Sequence, residues 1–333
     1  MIAAFRRNFP DTRLTVMVKP EARGILQNDP AVDDLIVFDK GRGGRHRGLA
    51  GMLRIIRDVR GRQFDLLLSP HKSHRTGLLA WASGIPHRIG YTEAGLSRFA
   101  YHRRLSRPKD QPEIRRLLSF LDDGLPGCDA KNDSTDLRVT VDTDAQNQAR
   151  DLLAGLDAVR PVLVAPSSVW PTKRWTPDGF AQLIAALYAK YQKTVLLIGS
   201  PGDGKIAEEC LRFLQLSHPE LIDRGRVHNV CGRTSLPGLY ALMQKSLLLV
   251  SNDSAPVHFG CAADLPTVAI FGPTVPALGY APIAKRSAVA ELRELACRPC
   301  GTHGAKVCPL DHFRCMRDLS TDHIMETVAQ VMR

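Results

Sequence analysis

Aromatic residues are scarce in this chain, at 6% of 333 residues, and the basic residues are not interleaved with them. A surface that stacks the bases of single-stranded nucleic acid needs such interleaving, so that kind of surface is not indicated. No apolar run approaches the roughly 20 residues that a membrane-spanning helix requires. No signal peptide is evident, because Pro10 interrupts the short segment that opens at Met1. These absences, with the lack of low-complexity tracts and short repeats, favour a globular cytoplasmic protein.

The charge is unbalanced toward lysine and arginine, with 45 of them against 34 acidic residues and a formal net charge of +11. Such a balance predicts an anionic partner, which would be a lipid surface, a phosphate-bearing molecule or nucleic acid. The basic clusters at residues 42–47 and 98–107 are candidates for contact with an anionic membrane. A solvated basic face is the plainer interpretation of either cluster alone. A basic, zinc-containing nucleic-acid-binding protein is kept as an alternative class.

Short apolar runs alternate with amphipathic segments along the chain, which predicts an α/β fold with parallel sheets covered on both faces. The second half contains the strand candidates PVLVA, TVLLIG, LLLVSN and TVAIFG, with helices predicted near 177–190, 204–215, 236–245 and 256–263. The first half contains the strand candidates TRLTVMV, DDLIVFD, FDLLLS and HRIGY. The length suits two domains of ordinary size. We predict two Rossmann-like domains, at residues 1–158 and 159–333.

The most informative stretch is residues 250–273, VSNDSAPVHFGCAADLPTVAIFGP, which combines a buried strand, a helix start and a second buried strand. Asn252, Asp253 and Ser254 precede the predicted helix as good N-cap residues, and Pro256 suits its first turn. His258 falls in the same turn, beside unpaired backbone N–H groups. The positive end of a helix attracts a phosphate or diphosphate, which the sequence therefore predicts here. A well-capped helix between two core strands is the structural alternative.

A second motif, APSSVWPTKRW at residues 165–175, follows another predicted strand. Ser167 and Ser168 supply hydroxyl groups at the carboxyl end of that strand, where open α/β sheets bind their ligands. Lys173 and Arg174 bring two cations to the same loop. An ammonium group there can neutralise the charge of a departing diphosphate without a metal ion. The structural alternative is a solvated basic loop.

Two further patterns are given structural interpretations. Residues 199–205, GSPGDGK, match the spacing of a phosphate-binding P-loop, but Ile206 occupies the position where Ser or Thr would hold magnesium. A P-loop NTPase is therefore kept only as a remote alternative. Asp142 and Asp144 resemble a metal-binding pair, yet they precede a predicted helix, so a helix cap accounts for them better.

Taken together, these motifs resemble those of the bacterial lipopolysaccharide heptosyltransferases in glycosyltransferase family 9, and most closely the heptosyltransferase II group. The residues that carry the resemblance are Pro166, Trp170, Pro171, Lys173, Arg174, Trp175, Gly199, Gly202, Asp203, Asn252, Asp253, Ser254, Pro256, His258, Phe271, Gly272, Pro273 and Thr274, with Cys297, Cys300, Cys308, Pro309, His312, Cys315 and Met316 near the end. The resemblance is dense from about residue 161 onward.

The resemblance implies a GT-B fold, with two Rossmann-like domains facing each other across a cleft. It implies an inverting glycosyltransferase that moves heptose from ADP-heptose to the heptosylated inner core of lipopolysaccharide, with no cofactor for catalysis. The partners would be ADP-heptose, the anionic lipopolysaccharide acceptor and the surface of the inner membrane, without nucleic acid. Another sugar or another acceptor is the alternative within the family, because phosphate-binding residues do not select the sugar.

The donor site implied by the resemblance centres on Lys173, which would stabilise the ADP leaving group. The other residues implied to bind the donor are Ser167, Ser168, Asp203, Thr234, Asp253, Ser254, Ala255 and His258. Ala255 departs from the family, which usually has glycine there, and its methyl group is expected to crowd a phosphate. For the acceptor, the resemblance points to Lys72, Ser73 and Arg75, whose structural alternative is a capped and solvated helix start.

The segment that opens the chain departs from the resembled family. MIAAFRRNF predicts a helix that ends at Pro10, whereas the family opens with a strand and a Gly-Asp turn whose aspartate is regarded as the catalytic base. Nothing in the sequence matches that turn, so the base is unknown. We expect a truncated reading frame in preference to a divergent member of the family. Activity of the chain is in doubt for that reason, and a sheet without its first strand is expected to expose apolar edges.

Four of the eight cysteines lie close together in the sequence, at Cys297, Cys300, Cys308 and Cys315. Clustered cysteines in a cytosolic protein favour metal binding or buried thiols over disulfides. Four thiolates with this spacing can close a tetrahedral structural zinc site, and reduced thiols are the alternative. His303 or His312 is a possible substitute for one ligand. The other four cysteines are scattered and are interpreted as structural.

Overall fold

The computed structural model describes residues 1–333 and divides the chain into two compact units, Met1–Thr135 and Asp136–Arg333. The second unit begins before the predicted boundary at 158/159 because the helix Thr143–Gly155 packs within it. That helix buries Ala149 and Leu152 in the core of the second unit. Its Gln148 side chain also accepts a hydrogen bond from the backbone N–H of Ser235 at 2.8 Å.

The first unit alternates helices and strands. Its helices are α1 (Ile2–Asn8), α2 (Arg23–Leu26), α3 (Gly48–Gly61), α4 (His74–Ala82), α5 (Ser97–Ala100) and α6 (Glu113–Gly124). Its strands are β1 (Thr15–Val18), β2 (Asp34–Val37), β3 (Leu66–Ser69), β4 (His87–Tyr91) and β5 (Arg103–Leu105). The four strands predicted in this half and the opening helix are confirmed.

The strands of the first unit form two separate parallel sheets, one of β1 and β2 and one of β3, β4 and β5. All four residues of β1 and the first three of β3 are only partly buried. The hydrophobic residues of this unit accordingly pack in several smaller clusters, of which the two largest are centred on Phe120 and Ile55. This half therefore has no single continuous sheet.

The second unit contains one six-stranded parallel sheet. Its helices are α7 (Thr143–Gly155), α8 (Pro177–Tyr191), α9 (Gly204–Ser217), α10 (Pro219–Asp223), α11 (Leu236–Gln244), α12 (Ala255–Ala262), α13 (Arg314–Arg317) and α14 (Thr321–Val331). Its strands are β6 (Val162–Ala165), β7 (Val195–Leu197), β8 (Val227–Asn229), β9 (Leu248–Asn252), β10 (Thr267–Phe271) and β11 (Ser287–Glu291). All four strands and all four helices predicted here are confirmed, with ends shifted by a few residues.

Both faces of this sheet are buried, as the apolar runs predict for interior parallel strands. Successive residues of β6 show the alternation: Val162 and Val164 enter one hydrophobic cluster, and Leu163 and Ala165 enter the other. Helices α8, α9 and α14 cover the first face, and α7 and α11 cover the second. Burying each large apolar side chain contributes about 1.5–3 kcal/mol, so these two clusters are the main source of stability for the unit.

The strand order of the large sheet is β11-β10-β9-β6-β7-β8. The chain therefore builds outward from β6 through β7 to β8, then returns to the other side of β6 and builds outward again from β9. The point between β6 and β9 is where the direction of winding reverses. In open α/β sheets the carboxyl ends of the strands at such a point form the usual ligand-binding crevice.

Candidate functional site

The loops that follow β6 and β9 meet at this reversal point and are fastened together by Asn252, the last residue of β9. Its side chain is fully buried. The amide oxygen of Asn252 accepts a hydrogen bond from the backbone N–H of Trp175 at 3.0 Å, and its amide nitrogen donates to the carbonyl of Pro166 at 2.8 Å. One side chain thus holds both ends of the loop that carries Lys173, a role that the sequence analysis did not assign to it.

Lys173 and Asp253 form an ion pair at the centre of this arrangement. Lys173 ends a short 3₁₀ turn, and its ammonium nitrogen lies 2.5 Å from Oδ2 of Asp253. The same carboxylate oxygen accepts a hydrogen bond from the hydroxyl of Thr274 at 2.6 Å. The two charged side chains are only 13% and 9% exposed. The sequence analysis placed both residues in the donor site but predicted neither their pairing nor the contact of Thr274.

Helix α12 begins at Ala255, two residues after Asp253, and no side chain caps it. Ser254 occupies the N-cap position, but its hydroxyl donates to the carbonyl of Asn252 at 3.2 Å and makes no hydrogen bond to the helix start. Pro256 lies in the first turn as predicted. The positive end of α12 is therefore available to an anion beside the Lys173 ammonium.

His258 lies in the first turn of α12, as the sequence predicts, and is largely buried. Burial lowers its pKa; the carboxylate of Asp253 acts in the opposite direction, and the ammonium of Lys173 adds to the lowering. His258 is consequently neutral at pH 7, and it contributes a hydrogen-bonding imidazole instead of a positive charge.

Ser167 joins a third loop to the site by donating a hydrogen bond to Oδ1 of Asp203 at 2.5 Å. The other carboxylate oxygen of Asp203 accepts from the backbone N–H and the hydroxyl of Ser200, both at 2.7 Å. Burial raises the pKa of Asp203, but these hydrogen bonds outweigh burial and leave the pKa below its ordinary value. Ser168 is buried in the same loop, and its carbonyl accepts a hydrogen bond from Arg174 at 2.7 Å.

Two predicted donor residues lie apart from this network. Thr234 is in the loop between β8 and α11, on the far side of β7 from β6, and no hydrogen bond joins it to the other predicted site residues. Ala255 is the first residue of α12 and is exposed. Their roles in binding the donor stay predictions.

The predicted acceptor residues follow β3 in the first unit. Ser73 is the N-cap of α4, and its hydroxyl accepts a hydrogen bond from the backbone N–H of Thr76 at 3.2 Å. Lys72 and Arg75 are exposed on either side of it. The structure thus contains the capped and solvated helix start that the sequence analysis gave as the alternative. A role in acceptor binding stays a prediction for all three residues.

The two motifs that were given structural interpretations behave as helix starts. Asp142 caps α7 by accepting a hydrogen bond from the backbone N–H of Ala145 at 2.8 Å, as predicted. Within residues 199–205, Ser200 and Asp203 form a reciprocal capping box at the 3₁₀ turn that precedes α9. In each pattern an aspartate carboxylate accepts a hydrogen bond from a nearby backbone N–H group at a helix start, and this structural role accounts for the residues.

All eight cysteines are free thiols. Cys300 is exposed, whereas Cys315 is buried, and burial raises the pKa of Cys315 to about 11. Among His, Cys, Asp and Glu side chains, the structure has no group of three or more arranged to hold a metal ion. As placed here, the four thiols therefore do not form a ready zinc site. The zinc site stays a prediction, which metal analysis of the purified protein would test.

Comparison with known proteins matches the chain to one family. The family model described as glycosyltransferase family 9 (heptosyltransferase) matches residues 52–310. Lipooligosaccharide heptosyltransferase 2 of Campylobacter jejuni (strain 81116) is 31% identical over 166 residues, which cover 50% of this chain and 49% of that protein. Lipooligosaccharide heptosyltransferase 2 of Haemophilus influenzae is 27% identical over 279 residues, which cover 80% and 77%. The chain thus spans about half the length of the first relative and about three quarters of the second.

The fold is similar to that of a solved structure, Escherichia coli ADP-heptose lps heptosyltransferase II. The TM-score is 0.75 at 21% sequence identity, over 99% of this chain and 92% of that chain. This similarity confirms the predicted α/β GT-B fold class.

Proposed function

The chain belongs to glycosyltransferase family 9, the heptosyltransferase family, and we propose that it transfers heptose from ADP-heptose to the heptosylated inner core of lipopolysaccharide. The observation that carries this proposal is the Lys173–Asp253 pair beside the uncapped start of α12. A cation and a helix N-terminus converge there, at the reversal point of a parallel sheet, which suits a nucleoside diphosphate. The name of the similar E. coli protein includes ADP-heptose as its donor.

In the proposed reaction, an acceptor hydroxyl attacks the anomeric carbon of the heptose from the face opposite the diphosphate. The bond from that carbon to the diphosphate oxygen breaks, and its electron pair leaves with ADP. Lys173 would neutralise the charge that develops on the departing diphosphate, and the N–H groups at the start of α12 would hold it. The proton of the acceptor hydroxyl passes to a general base, for which this chain offers no assigned residue.

Asp253 gives Lys173 a defined position before the donor arrives. A lysine side chain has a flexible four-carbon stem, and an ion pair of this geometry restricts it to one arrangement. The carboxylate would also repel a diphosphate placed against it, so the phosphates are expected on the face of the Lys173 ammonium group that is turned away from Asp253. Another sugar or acceptor remains the alternative, since these groups are assigned to the diphosphate and do not select the sugar.

Calorimetric titration of ADP into the protein without magnesium tests the donor site. We expect saturable binding by the wild type and at least tenfold weaker binding by Lys173→Ala, because a charge-assisted contact with the diphosphate is lost. Lys190→Ala is the matched control, since Lys190 is exposed in the last turn of α8, about 20 Å along the helix from the site.

The outcomes separate binding from catalysis. Unchanged affinity in Lys173→Ala would remove Lys173 from the mechanism, and absence of binding by folded wild type would overturn the donor site. Transfer of heptose to a heptosylated core acceptor is then measured by ADP release. Binding without transfer would indicate a site that holds the donor in a chain that lacks a base.

The first unit supplies the features expected of a lipid-facing surface. It carries 24 Lys and Arg against 15 Asp and Glu, which is +9 of the net charge of +11. Residues 40–107 alone hold 15 of these cations and three acids. All the exposed large apolar side chains of this unit lie in the same stretch: Leu49, Leu53, Leu78, Trp81, Leu96 and Phe99.

We propose that helices α3, α4 and α5 bind the anionic surface of the inner membrane, where a lipid-linked acceptor would be found. None of the helices is both long and apolar enough to span a bilayer. Exposed apolar residues combined with surrounding arginines are instead typical of segments that lie in the lipid interface. The occupant of this surface is therefore proposed to be a bilayer that contains acidic lipids.

Sedimentation with vesicles tests the lipid surface. We expect binding to vesicles of phosphatidylglycerol and phosphatidylcholine, weakened by salt, and little binding to phosphatidylcholine alone. Trp81→Ser combined with Phe99→Ser should lower binding severalfold. Leu216→Ser, at a still more exposed apolar residue of the second unit, should not change it. Equal binding to neutral vesicles, or unchanged binding of the double variant, would contradict the proposal.

A further inference from the structure

A short stretch near the end of the chain, residues 297–305, contacts both of the loops that supply the Lys173–Asp253 pair. We call it the 297–305 segment. On one side it binds the turn that follows β10 and contains Thr274. On the other side it binds the loop that contains Lys173. The reaction proposed above gives this segment no role.

The attachment to the Thr274 turn is made by Arg298. Its guanidinium group is only 2% exposed and pairs with the buried carboxylate of Glu291 at 2.7 Å. The same group donates to the carbonyls of Gly272 and Thr274, the latter at 2.8 Å. The backbone N–H of Cys300 adds a hydrogen bond to the carbonyl of Pro273 at 2.9 Å. The turn whose Thr274 hydroxyl binds Asp253 is therefore fixed along its length.

The attachment to the Lys173 loop is made by Thr172, the residue before the lysine. Its buried hydroxyl accepts a hydrogen bond from the backbone N–H of Ala305 at 2.8 Å and donates to the carbonyl of Ala305 at 3.0 Å. The backbone N–H of Thr172 donates to the same carbonyl at 3.2 Å. Next to this contact, the ring of His303 stacks on Trp170 with centroids 4.6 Å apart and planes within 5°.

Gly304 allows the segment to approach this closely. A side-chain carbon at residue 304 would lie 2.9 Å from Cγ of Lys173 and 2.6 Å from Cβ of Trp170, both well inside contact distance. The stem of Lys173 is thus confined by the segment on one side, while its ammonium group is held by Asp253.

We propose that the 297–305 segment positions Lys173 against Asp253 for donor binding, and that the hydroxyl of Thr172 is the positioning group. The part that concerns donor binding rests on the proposed function. Thr172 does not touch the ligand in this scheme; it fixes the backbone from which Lys173 extends. Because a lysine stem has several rotatable bonds, its head group is held accurately only when its backbone is fixed.

Three variants of the 333-residue chain isolate the hydroxyl. Thr172→Val removes both hydroxyl hydrogen bonds and keeps the shape, whereas Thr172→Ser keeps both bonds. Thr327→Val is the matched control, since Thr327 is also buried and its hydroxyl donates to the carbonyl of His323 at 2.9 Å within α14. Circular dichroism establishes that each variant is folded under the assay conditions.

The first measurement needs no ligand. Reductive methylation followed by peptide mass spectrometry gives the labelling rate of Lys173, whose side chain is 13% exposed in the intact pair. We expect this rate to rise severalfold in Thr172→Val and to stay within twofold of the wild type in Thr172→Ser and Thr327→Val. The second measurement is ADP affinity, which among these three variants should weaken about tenfold only in Thr172→Val, because the backbone N–H of Ala305 loses its acceptor and the loop that carries Lys173 is held less firmly.

Gly304→Ala tests the contact between the 297–305 segment and the Lys173 loop by changing the segment. It replaces Thr172→Val as the test if that variant does not fold. Its methyl group is expected to displace the stem of Lys173 or the base of Trp170. It should therefore raise the labelling rate of Lys173 in the same direction as Thr172→Val.

The labelling rate decides the positioning proposal, and the wild-type ADP titration decides the proposed function. Wild-type labelling rates in both Thr172→Val and Gly304→Ala would overturn the positioning role, even if ADP affinity changed. A rise in Thr172→Ser as large as in Thr172→Val would overturn the assignment to the hydroxyl. If the folded wild type binds no ADP but labelling follows the expected order, the donor site fails and the positioning of Lys173 stands.

Discussion

The Lys173–Asp253 pair is expected to contribute to stability as well as to binding, and a double-mutant cycle measures that contribution. Lys173→Met removes the ammonium group and keeps most of the stem. Asp253 is then left 9% exposed, and the hydroxyl of Thr274 still donates a hydrogen bond to its carboxylate. Removing one partner of a buried ion pair costs about 3–5 kcal/mol. Both side chains retain some exposure, so we expect about 3 kcal/mol for Lys173→Met and a similar cost for Asp253→Asn.

The double variant should cost about 3 kcal/mol as well, far less than the sum of the single changes. The double variant contains no unpaired buried charge, because both charged groups have been removed. The coupling energy is therefore expected to be about 2–3 kcal/mol. Urea unfolding followed by fluorescence and circular dichroism gives the four free energies of unfolding. All four measurements are made without ADP, so that binding does not add to stability.

Arg314 and Asp318 provide a matched pair that differs in burial. Their closest atoms are 2.7 Å apart, nearly as close as those of Lys173 and Asp253, but the side chains are 58% and 43% exposed. The same cycle on this exposed pair is expected to give less than about 1 kcal/mol. If the Lys173–Asp253 coupling were equally small, the pair would be no stronger than a surface contact, and its assignment as the fixed centre of the site would be refuted.

Two further predictions concern His258 and Asn252. The folded state lowers the pKa of His258, so it binds fewer protons than the unfolded chain as the pH falls below 6.5, and stability should decline there. His258→Gln should reduce the slope of stability against pH between about 6.5 and 5; an unchanged slope would contradict the assignment. Asn252→Ala leaves the N–H of Trp175 and the carbonyl of Pro166 unpaired, so thermal unfolding should show a loss of about 2–4 kcal/mol. A loss below about 1 kcal/mol would show that other groups replace the amide.

The sequence was sufficient to predict every interior strand, whereas three of the edge strands were not predicted. Every residue of β6, β9 and β10 is buried, and such strands leave a continuous apolar run in the sequence. The three strands that were not predicted, β5, β8 and β11, each lie at the edge of a sheet. An edge strand has only one neighbouring strand, and its residues are more exposed to solvent. Sequences such as RRL and SAVAE therefore contain no continuous apolar run. The second unit also begins earlier than the sequence predicted, because it includes α7. The sequence of an amphipathic helix does not indicate which sheet the helix will cover.

The residues of the candidate site could be predicted, but their pairing could not. Ser167, Lys173 and Asp253 stand out because each follows a predicted strand at the edge where ligands bind. Lys173 and Asp253 are 80 residues apart, and Thr172 and Ala305 are 133 apart. Neither hydrophobic periodicity nor local motifs can predict a contact between residues so far apart in the sequence. For Asn252, a polar residue at the end of an apolar strand was the available signal, and a buried amide in that place needs partners of its own.

The division of features between the two units predicts that the proposed donor binding and the proposed membrane binding are separable. Every predicted donor residue lies in the second unit, which has the continuous sheet and a net charge of only +2, from 21 basic and 19 acidic residues. The six exposed large apolar residues between Leu49 and Phe99, with the basic residues around them in the sequence, lie in the first. Trp81→Ser should therefore leave ADP affinity unchanged, and Lys173→Ala should leave vesicle binding unchanged. Neither substitution alters a residue of the other unit. An effect of Trp81→Ser on ADP affinity, or of Lys173→Ala on vesicle binding, would therefore contradict this separation.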